Sequence, residues 1–142
     1  MADSSDIAGA LIAKLGSDLE LLALCPNGVY RDQAPPGATR FVIVSLLAGE
    51  DTGVFGKRAI EAGIYLVEAR MLSTIAGANV KAAAARIDVL LEDQPLTVAG
   101  FAWMTLHREE PIGLTEIDAA DPSIRWFRRG GRYRLEMSHA AA

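Results

Sequence analysis

The sequence predicts an α+β fold, a mostly antiparallel sheet with helices packed on one face. Three observations lead there. Helix-like and strand-like segments come in blocks: helix, then several strands, one helix, then strands again. Asn79 to Asp93 has a single apolar stripe (Val80, Ala83, Ala84, Ile87, Leu90, Leu91) with Lys81, Arg86, Asp88 and Glu92 facing out. Phe41 to Leu47, Ala59 to Leu72 and Arg125 to Met137 are β-branched runs or alternate with period two, as strands do.

The elements follow in order. Ser4-Ser5-Asp6 is a cluster of N-cap residues, and behind it Ile7, Leu11, Ile12 and Leu15 recur at helical spacing. Gly16-Ser17-Asp18 interrupts that helix and caps a second short turn, Leu19 to Leu24. Cys25-Pro26-Asn27-Gly28 then stops it, because Pro and Asn-Gly disfavour continued helix. Gly28 to Arg31 reads as a short strand, and Gln33 to Ala38, with two prolines, as a rigid extended loop.

Phe41 to Leu47 is apolar on both faces, which marks a central strand. Gly49 to Arg58 has the glycine and charge content of a mobile loop. Ala59 to Leu72 is a strand with Tyr65, Val67, Ala69 and Met71 on one face and Ile64, Leu66, Glu68 and Arg70 on the other. It is long enough to project as a hairpin arm with its predecessor. Gln94-Pro95 ends the Asn79 helix, and Leu96 to Val98 and Phe101 to His107 follow as strands around a bend at Gly100. Glu109 to Pro122 reads as an acidic connection, Arg125 to Met137 as the closing strand, and Ser138 to Ala142 as a fraying tail. Residues 1–142 thus make one domain, large enough to bury a core without disulfides or metals.

Composition narrows the function classes. Half the residues are hydrophobic and under a quarter charged, which fits a soluble folded chain and opposes disorder. The net charge of -4 opposes general affinity for nucleic acid. Met1 to Asp6 is acidic and lacks the basic start of a signal peptide. No apolar run approaches the roughly 18 residues that span a bilayer, so the expected compartment is the cytoplasm, with no membrane partner. The one cysteine, Cys25, excludes an internal disulfide framework; with no histidine nearby it reads as a buried structural thiol.

No segment supplies visible catalytic chemistry. Gly49 to Arg58 ends in Gly-Lys like a phosphate-binding loop, but Asp51 occupies the position of the required glycine. Arg58 stands where a Ser or Thr must hold magnesium, and the next segment reads as strand, not helix. His107 and His139 have no Cys or His at ligand spacing. Glu109, Glu110, Glu116, Asp118 and Asp121 fit no calcium loop. No catalytic residue, cofactor site or metal site is therefore expected, and the chain is not expected to be an enzyme.

Charge segregation is the sharpest signal. Five of fourteen basic residues (Arg125, Arg128, Arg129, Arg132, Arg134) lie between Arg125 and Arg134, interleaved with Trp126, Phe127 and Tyr133. Glu109 to Asp121, just upstream, carries five acidic residues and no basic one. Alternation puts Tyr133, Leu135 and Met137 on the core face and Arg132, Arg134 and Glu136 on the other. The arginines admit three readings: a solvated strand face, a nucleic-acid contact with the aromatics as stacking groups, or an intersubunit contact. Arginine suits the last because its planar fork pairs carboxylates bidentately.

Taken whole, the chain resembles the tail terminator (tail completion) proteins of long-tailed bacteriophages and gene transfer agents. The resemblance runs from about Ile7 to Met137 and rests on order and spacing. Its pieces are the opening helix into Asp18 to Leu24, Gly28 to Asp32, the proline loop and strand Ala34 to Val44, the helix near Ala83 to Leu91, and the closing Arg-Gly-Gly-Arg-Tyr-Arg-Leu strand. The charged Gly49 to Arg58 loop and the apolar strand after it depart from the pattern. The resemblance implies a small α/β subunit of a homo-oligomeric ring, typically a hexamer, in the virion tail. Such a ring caps the tail tube, ends its polymerisation and joins the tail to the head connector. DNA passes through its lumen without sequence readout. On this reading Arg125, Arg128, Arg129, Arg132 and Arg134 meet Glu109, Glu110, Glu116, Asp118 and Asp121 of a neighbour, since rings need two different complementary patches. Pro35, Pro36 and Arg40, with Glu50, Asp51, Phe55, Lys57 and Arg58, contact the tail tube protein or the connector protein. Another connector or stopper ring protein, or a small nucleic-acid-binding module, is the alternative.

Overall fold

The computed structural model describes residues 4–54, 57–75 and 79–139, with side chains for 7–49, 60–75 and 79–139. The element order is α1 (Ser4–Gly16), α2 (Leu19–Leu24), β1 (Val29–Arg31), β2 (Arg40–Val54), β3 (Lys57–Leu72), α3 (Val80–Leu91), β4 (Phe101–Ile117) and β5 (Arg125–His139). The strands form one five-stranded sheet in the order β1-β2-β3-β5-β4, antiparallel except for β1 beside β2. The expected α+β class stands.

Local signals set the elements in place. Asp18 is the N-cap of α2: its carboxylate accepts from Leu21 N at 2.9 Å, satisfying a backbone donor the helix cannot. Asn79 does the same for α3 through Ala82 N at 3.1 Å. Asn27 closes the proline loop, its Oδ1 accepting from Thr39 N at 3.1 Å and Arg40 N at 2.9 Å. That closure starts β2 alongside β1 in the register Val29↔Val42.

All three helices join one core. Ile7, Leu11, Leu15, Leu21, Ala83, Ile87 and Leu91 pack on Val42, Val44, Tyr65, Val67, Ala69, Met71, Tyr133, Leu135 and Met137, and all of these are essentially excluded from water. At roughly 25 cal/mol per Å² of apolar surface, this is the dominant stabilising term. The strand alternation read from sequence for β3 and β5 therefore holds. Arg86 ties the helices together, its Nε and Nη2 donating to Asp18 at 2.8 and 2.7 Å.

Four sequence expectations are corrected. Gly49 to Arg58, expected as a mobile loop, is strand up to Val54 and again from Lys57: β2 and β3 pair from Arg40↔Met71 out to Val54↔Lys57. Backbone pairing, interrupted only by register shifts at Leu46/Ala48 and Thr52/Gly53, outweighs the glycine and charge content, as the projecting-arm reading allowed. Glu109 to Ile117, expected as connection, is the second half of β4. Leu96 to Val98 is not a strand but an irregular segment that buries Leu96 and Val98 and turns at Gly100 (φ 86°) into β4. Ser138 and His139 extend β5, opposite Ile60 and Phe101, and do not fray.

Candidate functional site

The acidic and basic segments lie side by side in the sheet. A turn folds β4 back onto β5, which pair from Phe101↔His139 to Ile117↔Arg125 with register shifts at Trp103/Thr105 and Arg108/Glu110. The turn is made by two of the predicted site acids. Asp118 Oδ2 accepts from Ala120 N and Asp121 N at 3.1 and 3.0 Å, and Asp121 Oδ1 accepts from Ser123 N and Oγ at 3.0 and 2.7 Å. Trp126 Nε1 donates to Asp118 Oδ1 at 2.8 Å. That indole bond, followed by the turn's backbone donors, lowers the Asp118 pKa; the Ser123 hydroxyl and amide lower that of Asp121. Both carboxylates are thus held by the turn itself.

The register also places the arginines opposite carboxylates of the same chain. Arg132 Nε sits 2.8 Å from Glu110 Oε1. Arg134 lies 3.7 Å from Glu109 and 2.9 Å from Glu136. Arg128 Nη1 pairs with Glu116. The ion pairs expected between neighbouring subunits are therefore formed, for these three arginines, within one chain. Cross-strand opposite charges of this kind stabilise a strand pair, which explains how so acidic a segment becomes a strand.

Beneath them lies a group the sequence reading did not single out. Glu68 is on the helix-free face of β3 and is completely buried. Its Oε1 accepts from Arg70 Nε at 2.7 Å and Arg128 Nε at 2.9 Å, while Oε2 has no hydrogen-bond partner among the described residues. Register places Ile43 opposite Glu68 and Phe41 opposite Arg70 on this face, both nearly buried. Trp126 meets the Phe41 ring edge-on at 5.7 Å. The signal was present in Phe41 to Leu47: a strand apolar on both faces needs cover on both.

The remaining site residues are dispersed. Arg125 donates through Nη1 to the carbonyls of Pro122 and Ile124. Arg129 is exposed, its side chain crossing Gly113, where an added Cβ would lie 3.8 Å from the guanidinium carbon. Pro35 and Pro36 are exposed in the β1–β2 loop. Arg40 begins β2 with its Nε buried and unpartnered among the described residues. Glu50, Asp51, Lys57 and Arg58 belong to the β2–β3 arm, opposite Ala62, Glu61, Val54 and Gly53; Phe55 lies outside the described residues.

Of the three aromatics named as stacking groups, Tyr133 is out of reach, while Trp126 and Phe127 are partly exposed. Tyr133 is fully buried, its hydroxyl donating to Asp88 at 2.8 Å. Burial first, then that carboxylate, push its pKa well above the usual phenol range. Burial likewise pushes the Cys25 thiol up to about 12, far from a nucleophile's range. Among the described residues no three His, Cys, Asp or Glu side chains converge as a metal site, and no helix is long and apolar enough to cross a membrane.

No protein-family model matches the chain, and no curated protein matches it either. Solved structures do. One chain from the virion of a native gene transfer agent particle is similar over 96% of this chain and 98% of its own, with 21% identity and a TM-score of 0.63. A second solved chain is similar over 100% of this chain and 99% of its own, with 13% identity and a TM-score of 0.57. At these identities the likeness is one of fold: this chain has, nearly end to end, the fold of a chain found in a gene transfer agent virion.

Proposed function

We propose that this chain is a structural virion protein and not an enzyme, and that it acts as a tail terminator. In this role its copies form a ring, a hexamer, that caps the tail tube, stops its growth and joins the tail to the head connector. The carrying observation is the near end-to-end likeness in fold to a chain of a gene transfer agent virion. The order and spacing of elements from Ile7 to Met137 support the finer role. Residues 1–142 act as one domain in this reading. A net charge of -4 suits a lumen through which DNA passes without adhering.

Contact roles follow from placement. The β2–β3 arm, with Glu50, Asp51, Lys57 and Arg58, the loop around Pro35, Pro36 and Arg40, and Phe55 are the proposed contacts with tube or connector. The β4–β5 strand pair, with Arg125, Arg128, Arg129, Arg132, Arg134 and the Glu109 to Asp121 acids, is the proposed subunit surface. Since several of these charges already pair in the chain, the surface offers neighbours a preorganised ionic lattice more than free charge.

Negative-stain microscopy of the purified chain tests the ring, with a six-fold particle open at its centre as the expected image. A monomer at every concentration would remove the reading. Co-purification with tail tube protein supports a terminator, whereas capture only by portal-side protein makes it a connector or stopper. Retention of single-stranded DNA by monomers would favour the nucleic-acid module, against which the burial of Tyr133 counts.

A further inference from the structure

The charges of helix α3 run against its own dipole. A helix is stabilised by acidic groups in its first turn and basic groups in its last, and α3 has neither. Lys81 stands in the first turn, while Asp88 is in the last turn, Glu92 is the C-cap and Asp93 follows it. The helix thus gives up local stability to present a positive end and a negative end, roughly 18 Å apart at 1.5 Å per residue.

The positive end opens on a cleft of about 450 Å³. Its walls are the start of α3 (Asn79 to Lys81), the β4 stretch Gly113 to Thr115 and the β5 stretch Phe127 to Arg129. Lys81 and Arg129 bring two exposed cations to it, and neither has a side-chain partner among the described residues. The Arg129 side chain lies over Gly113, at the van der Waals distance of 3.8 Å from where a Cβ would stand. At the negative end Glu92 uses Oε2 to accept from Arg108 N at 2.6 Å, and Asp93, exposed at φ 55°, has no side-chain partner among the described residues.

We propose that the Lys81–Arg129 cleft of one copy receives the Glu92–Asp93 end of α3 from the next copy, a head-to-tail subunit contact. The occupant is a second copy because the complementary charge sits on this chain, at the other end of the same helix. Two different patches on one subunit make a heterologous contact, which repeats around a ring. All four glutamates of β4 and β5 pair with Arg128, Arg132 or Arg134 within the chain, and Lys81, Arg129 and Asp93 are charges left over for a neighbour. This inference rests on the ring reading above and names its contact.

The test uses the full chain and light scattering at low salt. Wild type is expected to assemble. Lys81→Glu/Arg129→Glu and, separately, Glu92→Lys/Asp93→Asn are expected to fall to the mass of one chain. Mixing the two variants in equal amounts is expected to raise the mass to at least that of two chains, because each keeps the patch the other has lost and one contact per pair can form. Asn keeps position 93 compatible with its positive φ. Far-ultraviolet circular dichroism checks folding; if the Glu92 variant does not fold, the Lys81/Arg129 variant alone decides, since its side chains have no partner to lose among the described residues. Wild-type assembly with an unchanged mass for Lys81→Glu/Arg129→Glu overturns the pairing and leaves the ring reading standing. A wild type that stays monomeric overturns both. Unchanged mass together with lost retention of a short single-stranded DNA reassigns the cleft to phosphate.

Discussion

Arg128 grips Glu68 across the β3–β5 pair, with Nε at 2.9 Å and Nη2 at 2.7 Å from the same carboxylate oxygen, Oε1. The carboxylate is fully buried and Arg70 reaches the same oxygen from its own strand at 2.7 Å. A charge so deep is tolerable only while its partners remain, because the desolvation cost is not recovered otherwise. The contact joins the basic strand to the centre of the sheet, so Arg128 belongs to the fold before it belongs to any surface.

Arg128→Ala is therefore expected to destabilise the chain by about 3 kcal/mol in urea unfolding at neutral pH, the range for breaking a buried pair. Replacing both partners by apolar residues of similar volume, Glu68→Leu with Arg128→Met, is expected to return to within about 1 kcal/mol of wild type. A loss under about 1 kcal/mol for Arg128→Ala alone would mean that Arg70 suffices.

Gly130 lies where β5 presses on β3. A Cβ there would sit 2.0 Å from the Val67 carbonyl oxygen and 2.5 Å from Glu68 Cα, both backbone atoms that cannot move aside. Gly130→Ala should cost about 3 kcal/mol or more, through overpacking and lost pairing. Gly16→Ala in α1 meets nothing within 4 Å and should gain about 0.5 kcal/mol from helix propensity. Thermal melts of the two variants moving in the same direction would contradict this account.

Asp18 links stability to acid pH. Its hydrogen bond from Arg86, opposed by burial and assisted by the cap bond from Leu21, lowers its pKa from 3.8 to about 2. The folded chain then holds its proton more weakly than the unfolded chain, so stability rises with pH across this window. The contribution is fully present above about pH 4 and is lost as pH falls through about 2. Arg86→Gln should flatten the acid limb of a stability-against-pH curve between those values. An unchanged acid limb would assign acid unfolding to other carboxylates.

Cys25 should be inert. Fully buried, with its pKa pushed up to about 12 by that burial, it is expected to react with a disulfide reagent at neutral pH only as fast as the chain unfolds. Fast labelling in the native state, at the rate of a free thiol, would show that the α2 end opens locally.

Local patterns were legible wherever neighbours in sequence carry the information. Asn79 and the 3.6-residue stripe announced α3, Asp18 announced the α2 cap, and period-two alternation placed Tyr65, Val67, Tyr133 and Leu135 in the core. Glu109 to Ile117 was opaque because Pro111, Gly113 and repeated acids argue against a strand locally. What makes it one is Arg128, Arg132 and Arg134 opposite, and nothing in the segment itself announces that pairing. Glu68 was assigned to the correct face, yet its burial depends on Phe41, Ile43, Arg70 and Arg128 arriving from three strands.

The sequence by itself determined the α+β class, the α2 cap, the helix stripe and the core faces of β3 and β5, since each follows from backbone geometry and short-range periodicity. Only the tertiary structure decided which charges meet. Strand register sets the Arg132–Glu110 and Arg128–Glu68 pairs, and register is chosen by the packing of the whole sheet. It also left Lys81, Arg129 and Asp93 without side-chain partners among the described residues.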